Sequence, residues 1–231
     1  MTPERILDKP DLDAALDALC ARDARMAALR AASPEPPLRR ISADIAGLVW
    51  IVNSQLISVA AARAIHGRVE AALGAVEHAA LSAAPDELFR AAGMSRVKLK
   101  TVRALCAAVD DGLDVEGLEA LDEPEARARL LAIPGVGPWT ADVFLLFAHG
   151  RPDAFPAGDV AVQSAMKDVL GLAARPDRGA AEELAEPWRP LRGVAAQLLW
   201  AYYLGRRRGR DAAPSRTPAG PVRPASVEEI A

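Results

Sequence analysis

Leu130-Leu-Ala-Ile-Pro-Gly-Val-Gly-Pro-Trp-Thr-Ala141 decides the fold of this chain. The residues just before and into it, Glu123-Pro-Glu-Ala-Arg-Ala-Arg-Leu-Leu-Ala132, contain no β-branched side chain and set Leu130 and Leu131 behind a charged face, which predicts a helix. Gly135 and Gly137 then mark a tight turn. Pro138 suits a first helical position, where its missing N–H costs nothing, and Thr140 to Phe147 continues as a second, largely apolar helix. The prediction is helix, glycine hairpin, helix over about residues 123–149. Glycines let a backbone approach a ligand closely. The N–H groups opening the second helix lie at its positive dipole end and attract a phosphate without any lysine. On spacing alone the pattern fits a plain αα-hairpin equally well, because glycine-containing turns between helices are common.

Beyond the hairpin, Gly150-Arg-Pro-Asp-Ala-Phe-Pro-Ala-Gly158 reads as a loop that delivers Asp159 to the start of a helix at Val160. Asp159 fits a plain N-cap. It fits a functional carboxylate as well, since the positive end of a helix favours an anion, and the two roles are compatible.

The remaining chain is expected to be helical. One or two helices span about residues 11–32 and are broken by Pro34-Glu-Pro-Pro37; Ala43 to Val52 is a buried helix interrupted at Asn53-Ser-Gln55. Ser58 caps a helix reaching about Leu73, Pro85 to Ala92 is stopped by Gly93, and Ser95 caps a helix reaching about Val109. The last helix is expected from about Trp188 to Arg206. Pro214 to Pro224 has the composition of a disordered tail. The domain plan is one helical domain over residues 1–210, followed by a tail over 211–231.

Composition agrees with an all-α intracellular protein. Alanine dominates, alternating β-branched runs are hard to find, and 51% of the chain is hydrophobic, enough for a core. Cys20 and Cys106 are the only cysteines, too few for a cysteine-ligated iron–sulfur cluster and consistent with reduced thiols. His66, His78 and His149 lack metal-ligand spacing, so a catalytic zinc is not expected. The start of the chain has no apolar signal-peptide core and no apolar run reaches about 20 residues, so cytoplasmic localisation with no membrane association is expected. Net charge is −3, but acidic residues crowd into Asp110 to Glu125 and Asp177 to Glu186, while Arg206-Arg-Arg-Gly-Arg210 is basic. Such segregation permits one basic surface, and it also describes ordinary solvated faces.

Ile133-Pro-Gly-Val-Gly-Pro-Trp-Thr-Ala141 followed by Asp159 resembles the helix-hairpin-helix, Gly/Pro-rich loop and aspartate signature of DNA glycosylases, and Trp139 makes it most similar to the 3-methyladenine DNA glycosylase II branch. Ile51-Val-Asn-Ser-Gln-Leu-Ile-Ser-Val-Ala-Ala-Ala62, Gly93-Met-Ser-Arg-Val-Lys-Leu-Lys100 and Trp188 to Trp200 are similar to further family segments in the same order, so the resemblance covers roughly residues 10–205. It implies two helical subdomains flanking an active-site cleft. It further implies a monomeric enzyme that excises alkylated bases, chiefly N3-methylated purines, from double-stranded DNA by base flipping, in base excision repair. Asp159 would stabilise the oxocarbenium ion and orient water.

The same resemblance assigns roles to individual residues. Trp139 stands where glycosylases that also cut the backbone have a Schiff-base lysine, which implies a monofunctional hydrolase. Its indole suits a cationic alkylated purine, a contact worth roughly 0.5–2 kcal/mol, although it also fits an amphipathic core tryptophan. Trp200 and Val143 complete the base pocket. Val143 replaces an aromatic residue and Gly158 replaces an acidic neighbour of Asp159, which keeps hypoxanthine and uracil open as lesions. Gln55 and Leu56 would enter the DNA, with Leu56 as the wedge that fills the gap; core packing and turn capping are the plain alternatives. Gly135, Val136, Gly137 and Thr140 would contact the backbone. Carbonyls of Leu131, Ile133 and Val136 would hold a structural sodium or potassium ion, with no cofactor required for catalysis. A noncatalytic helix-hairpin-helix DNA-binding protein remains the alternative from outside the enzyme class.

Overall fold

The computed structural model describes residues 3–211, and among these all regular structure is helical. The helices sort into two packed groups. In the first, α1 (Lys9–Arg22) and α2 (Ala24–Ala31) return to pack against α12 (Arg192–Asp211), which also carries α10 (Val160–Val169) and, beside that, α11 (Arg178–Ala185). The second is built around α3 (Ile45–Ser54), which packs on α4 (Val59–Leu73), α7 (Arg96–Asp110) and α9 (Pro138–Phe147). The short helices α5 (His78–Ala83) and α6 (Asp86–Ala91) lie against α7, and α8 (Glu123–Leu131) lies against α9. One apolar core runs through both groups, from Leu12, Leu16 and Leu19 at helical spacing on α1 to Phe144 on α9 and Leu198 on α12. Burial of each such leucine contributes about 1.5–3 kcal/mol.

Side-chain caps fix most of the helix starts, and Ser58, Ser95 and Asp159 do so where the sequence predicts. Asp8 and Asp11 form a capping box on α1, and Asp44, Ser58, Ser95, Asp122, Asp159 and Asp177 each accept a backbone N–H at the start of α3, α4, α7, α8, α10 and α11. Each cap is worth about 1 kcal/mol. No helix among the described residues is long and apolar enough to cross a membrane.

Three expectations are revised. Asn53 does not interrupt α3: it lies fully buried inside the helix and donates from Nδ2 to the Ala62 carbonyl at 2.9 Å, so its amide serves a neighbouring helix instead of its own backbone, and the break falls after Ser54. The last helix starts at Arg192, because Glu186–Trp188 forms a short 3-10 turn and Pro190 interrupts the chain. Helices α5 and α11 have no counterpart in the predicted organisation. The basic run from Arg206 continues the backbone of α12, and the expected tail, Pro214 to Pro224 included, lies outside the described residues.

Candidate active site

Asp159 is the N-cap of α10, and its carboxylate is also the meeting point of three helices. Oδ1 accepts the backbone N–H groups of Ala161 and Val162 at 2.8 and 3.0 Å and the Trp200 indole Nε1–H at 3.0 Å; Oδ2 accepts the Trp139 indole Nε1–H at 2.9 Å. Trp139 comes from the first turn of α9 and Trp200 from α12, 20 and 41 residues away in sequence. Four donors leave the carboxylate little rotational freedom. The Trp200 ring stacks on Phe147 with centroids 5.7 Å apart and planes at 28°, so its indole is fixed from behind. Phe147 is a site residue that the sequence reading missed. Val143 lies one helical turn from Trp139 on α9 and is buried. Gly158 is exposed, and a Cβ added there would meet only Arg178 Cδ, at 3.9 Å, so glycine is not required sterically.

The hairpin forms as predicted. The chain leaves α8 through Ile133, whose carbonyl accepts the Val136 N–H at 3.0 Å, and Gly135 adopts a φ of 91°. A Cβ at Gly135 would sit 2.1 Å from Thr101 Oγ1 on α7, so the turn and α7 fit together only with glycine. Gly137 is the N-cap of α9 and offers no side-chain acceptor. Helix-start N–H groups that no side chain caps can take an anion.

Leu56 is fully exposed and holds a φ of 58°, the only positive φ among described non-glycine residues. Ile57 and Val59 beside it are also exposed. The core alternative for Leu56 is excluded by that exposure. Gln55 donates from Nε2 to Thr140 Oγ1 at 2.8 Å. The Thr140 side chain is buried and its hydroxyl accepts from Gln55, so any DNA contact by Thr140 falls to its backbone N–H in the first turn of α9. Val136 likewise buries its side chain, leaving its backbone for any contact. Lys98 on α7 donates to the Asn53 carbonyl at 2.7 Å, its ammonium pushed down in pKa by burial, and Val97 beside it is exposed. Lys98 thus ties α7 to the end of α3, and Thr101 on α7 lies against the hairpin at Gly135. The segment Gly93 to Lys100 is the only sequence signal for Lys98, and Thr101 lies just beyond it.

The model of the HhH-GPD superfamily base excision DNA repair protein family matches residues 49–190, the span from α3 through the hairpin and Asp159 to Pro190. The chain belongs to the HhH-GPD superfamily. It is 36% identical over 208 residues to the "Probable bifunctional transcriptional activator/DNA repair enzyme AlkA" of Mycobacterium tuberculosis, a match covering 85% of this chain and 41% of that protein. This HhH-GPD chain thus spans less than half the length of that relative. Among solved structures it is similar to the DNA-3-methyladenine glycosidase of Bacillus halodurans, with a TM-score of 0.72 and 30% identity, covering 84% of this chain and 91% of that one. The Schizosaccharomyces pombe 3-methyladenine DNA glycosylase Mag1, solved in complex with abasic DNA, matches with a TM-score of 0.68 and 25% identity over 80% of this chain and 94% of that one.

Proposed function

We propose that this chain is a monofunctional DNA glycosylase that hydrolyses the N-glycosidic bond of alkylated bases, chiefly N3-methylated purines, in double-stranded DNA. The observation that carries the reading is the Asp159 carboxylate held by two indoles and a helix N-terminus. As the C1′–N bond breaks, the sugar gains positive charge; a fixed anion beside C1′ stabilises it and orients the water that adds there. The products are a free base and an abasic sugar. An N3-alkylated purine is cationic and leaves as a neutral base, so it needs no proton donor. Hypoxanthine or uracil leaves as an anion and needs one. The groups bonded to Asp159 are two indoles and two amides, none of them acidic at neutral pH, which favours the alkylated substrates. The half-buried Trp139 would supply an aromatic contact to a cationic base, and Trp200, stacked on Phe147, and Val143, both buried here, would complete the pocket.

Leu56 is the wedge in this reading, and the Gly135–Gly137 turn with the start of α9 receives a phosphate. The hairpin carbonyls of Leu131, Ile133 and Val136 would hold a sodium or potassium ion. Backbone carbonyls are hard oxygen donors of the kind such an ion takes, and Ile133 keeps a second lone pair after accepting from Val136. The ion would supply positive charge towards a phosphate and no chemistry. A monomer acting on DNA in the cytoplasm completes the proposal.

The test is to incubate the purified chain with methylated DNA and identify released bases by mass spectrometry, with Asp159→Asn beside it. Release of 3-methyladenine by the parent chain alone is expected. Retained DNA binding with no release of any base overturns the enzymatic reading in favour of a noncatalytic hairpin protein.

A further inference from the structure

We propose that the Gln55–Thr140 hydrogen bond is a latch that holds the Leu56 wedge in its strained, projecting pose, which makes Gln55 and Thr140 positioning residues for base flipping. The inference rests on the glycosylase reading above.

The loop from Gln55 to Ser58 joins α3 to α4 between two fixed ends. Lys98 clamps the Asn53 carbonyl at the end of α3, and the Ser58 side chain caps α4 on the Ala61 N–H. Between them Leu56 occupies the left-handed region with a side chain that packs on nothing. A leucine is disfavoured there and persists only when its surroundings impose the conformation. Gln55 leaves the helix at φ −59° and ψ 129°, and its amide reaches Thr140, buried at the start of α9. Thr140 follows Trp139, whose indole holds Asp159. Wedge and carboxylate are therefore tied to consecutive residues of one helix. The distance from the gap in the duplex to the reacting sugar is then set before DNA arrives, so the wedge enters as the base reaches Asp159.

A latch that acts on flipping matters in proportion to what flipping costs, and a mispaired base costs less to extrude than a paired one. The substrate is an oligothymidylate strand with one adenine, methylated chemically and annealed to a strand placing either thymine or cytosine opposite that adenine. Single-turnover release of 3-methyladenine is measured for the parent chain, Gln55→Ala, Thr140→Val, the double variant and Thr140→Ser. Loss of one neutral hydrogen bond predicts about a five- to tenfold slower release from the paired duplex. From the mispaired duplex the loss is expected to stay under about twofold. The double variant should be no slower than either single one, and Thr140→Ser, which keeps the hydroxyl, should match the parent. A partly misfolded preparation lowers both duplexes equally, so the ratio within each variant isolates the latch. Equal losses in both duplexes, or additive losses in the double variant, overturn it. Release by the parent chain from neither duplex instead sinks the glycosylase reading itself.

Discussion

Replacing Asp159 with asparagine separates the capping role from the chemical one. Asparagine caps a helix about as well as aspartate, so its amide oxygen can keep the three donors now on Oδ1, namely the Ala161 and Val162 N–H groups and the Trp200 indole. Its NH2 group then replaces Oδ2 and faces the Trp139 Nε1–H across 2.9 Å, donor against donor. A charge-assisted bond is lost and a half-buried indole is left without a partner, which costs about 1–3 kcal/mol. In a chain of this length that lowers Tm by roughly 3–10 °C and leaves the fold intact at 25 °C. The excision rate should suffer far more, because the anion opposite the developing oxocarbenium is gone; removing one preorganised electrostatic contact slows a reaction by about 10²–10³-fold. Trp139→Phe is the control, since it deletes the same hydrogen bond and leaves the charge. The assay is single-turnover release of 3-methyladenine beside thermal unfolding of each variant. If Asp159→Asn melts lower as stated and still excises within about tenfold of the parent, Asp159 is a cap and no more, and the mechanism fails.

Other perturbations address the wedge, the hairpin and the core. Leu56→Gly removes a left-handed strain and adds a comparable chain entropy cost, so stability should stay within about 0.5 kcal/mol while lesion-containing duplex binds more weakly and undamaged duplex does not; equal weakening of both would remove the wedge role. Gly135→Ala drives a Cβ into Thr101 and forces alanine to a φ of 91°, so both folding stability and DNA affinity should fall, and adding Thr101→Ala should recover part of the loss in chemical denaturation. Replacing sodium and potassium with tetramethylammonium at constant ionic strength should weaken duplex binding if the hairpin carbonyls hold an ion, and an unchanged Kd would discard it. His149 is fully buried, its ring nitrogens have no partner among the described residues, and burial, aided by Arg151, Arg5 and Arg40, pushes its pKa down to about 4. The unfolded chain takes up that proton below about pH 6.5 and the folded chain only near 4, so stability is lost as pH falls through this window, by at most about 3 kcal/mol; denaturant titrations at pH 7 and 5 should show that slope vanish in His149→Leu.

What was legible in the sequence was local. The hairpin is written in consecutive residues, Gly135 for the turn and Pro138 for a helix start, and Ser58, Ser95 and Asp159 announce their helices by capping them. The short helix α5 has no side-chain cap to announce it, and the sequence shows α11 only as an acidic stretch. Asn53 was misread because its partner, Ala62, lies on another helix. Distant pairings were beyond any periodicity: Gln55 with Thr140 spans 85 residues, Trp188 with Asp23 spans 165, and the stacking of Phe147 on Trp200 depends on where α12 docks. Only the family resemblance placed Trp200 near Asp159, and the geometry supplies the reason, a hydrogen bond that no spacing rule contains.

In the proposed reaction, capping and catalysis are one arrangement at Asp159 because of what a developing cation demands. A carboxylate free to rotate would lose part of its stabilising effect in reorienting as the sugar gains charge. One held by two amides and two indoles stays in place through the reaction. The donors come from α9, α10 and α12, so packing between the two helix groups is what positions the anion, and any substitution that loosens that packing lowers activity and stability together. Leu56 follows the opposite logic. Its side chain makes no packing contribution and its backbone is strained, so selection for stability alone would not keep a leucine there. On the proposed reading, a fully exposed leucine held in a disfavoured conformation, next to a Gln55 side chain that reaches Thr140 in the first turn of α9, is explained by insertion into DNA.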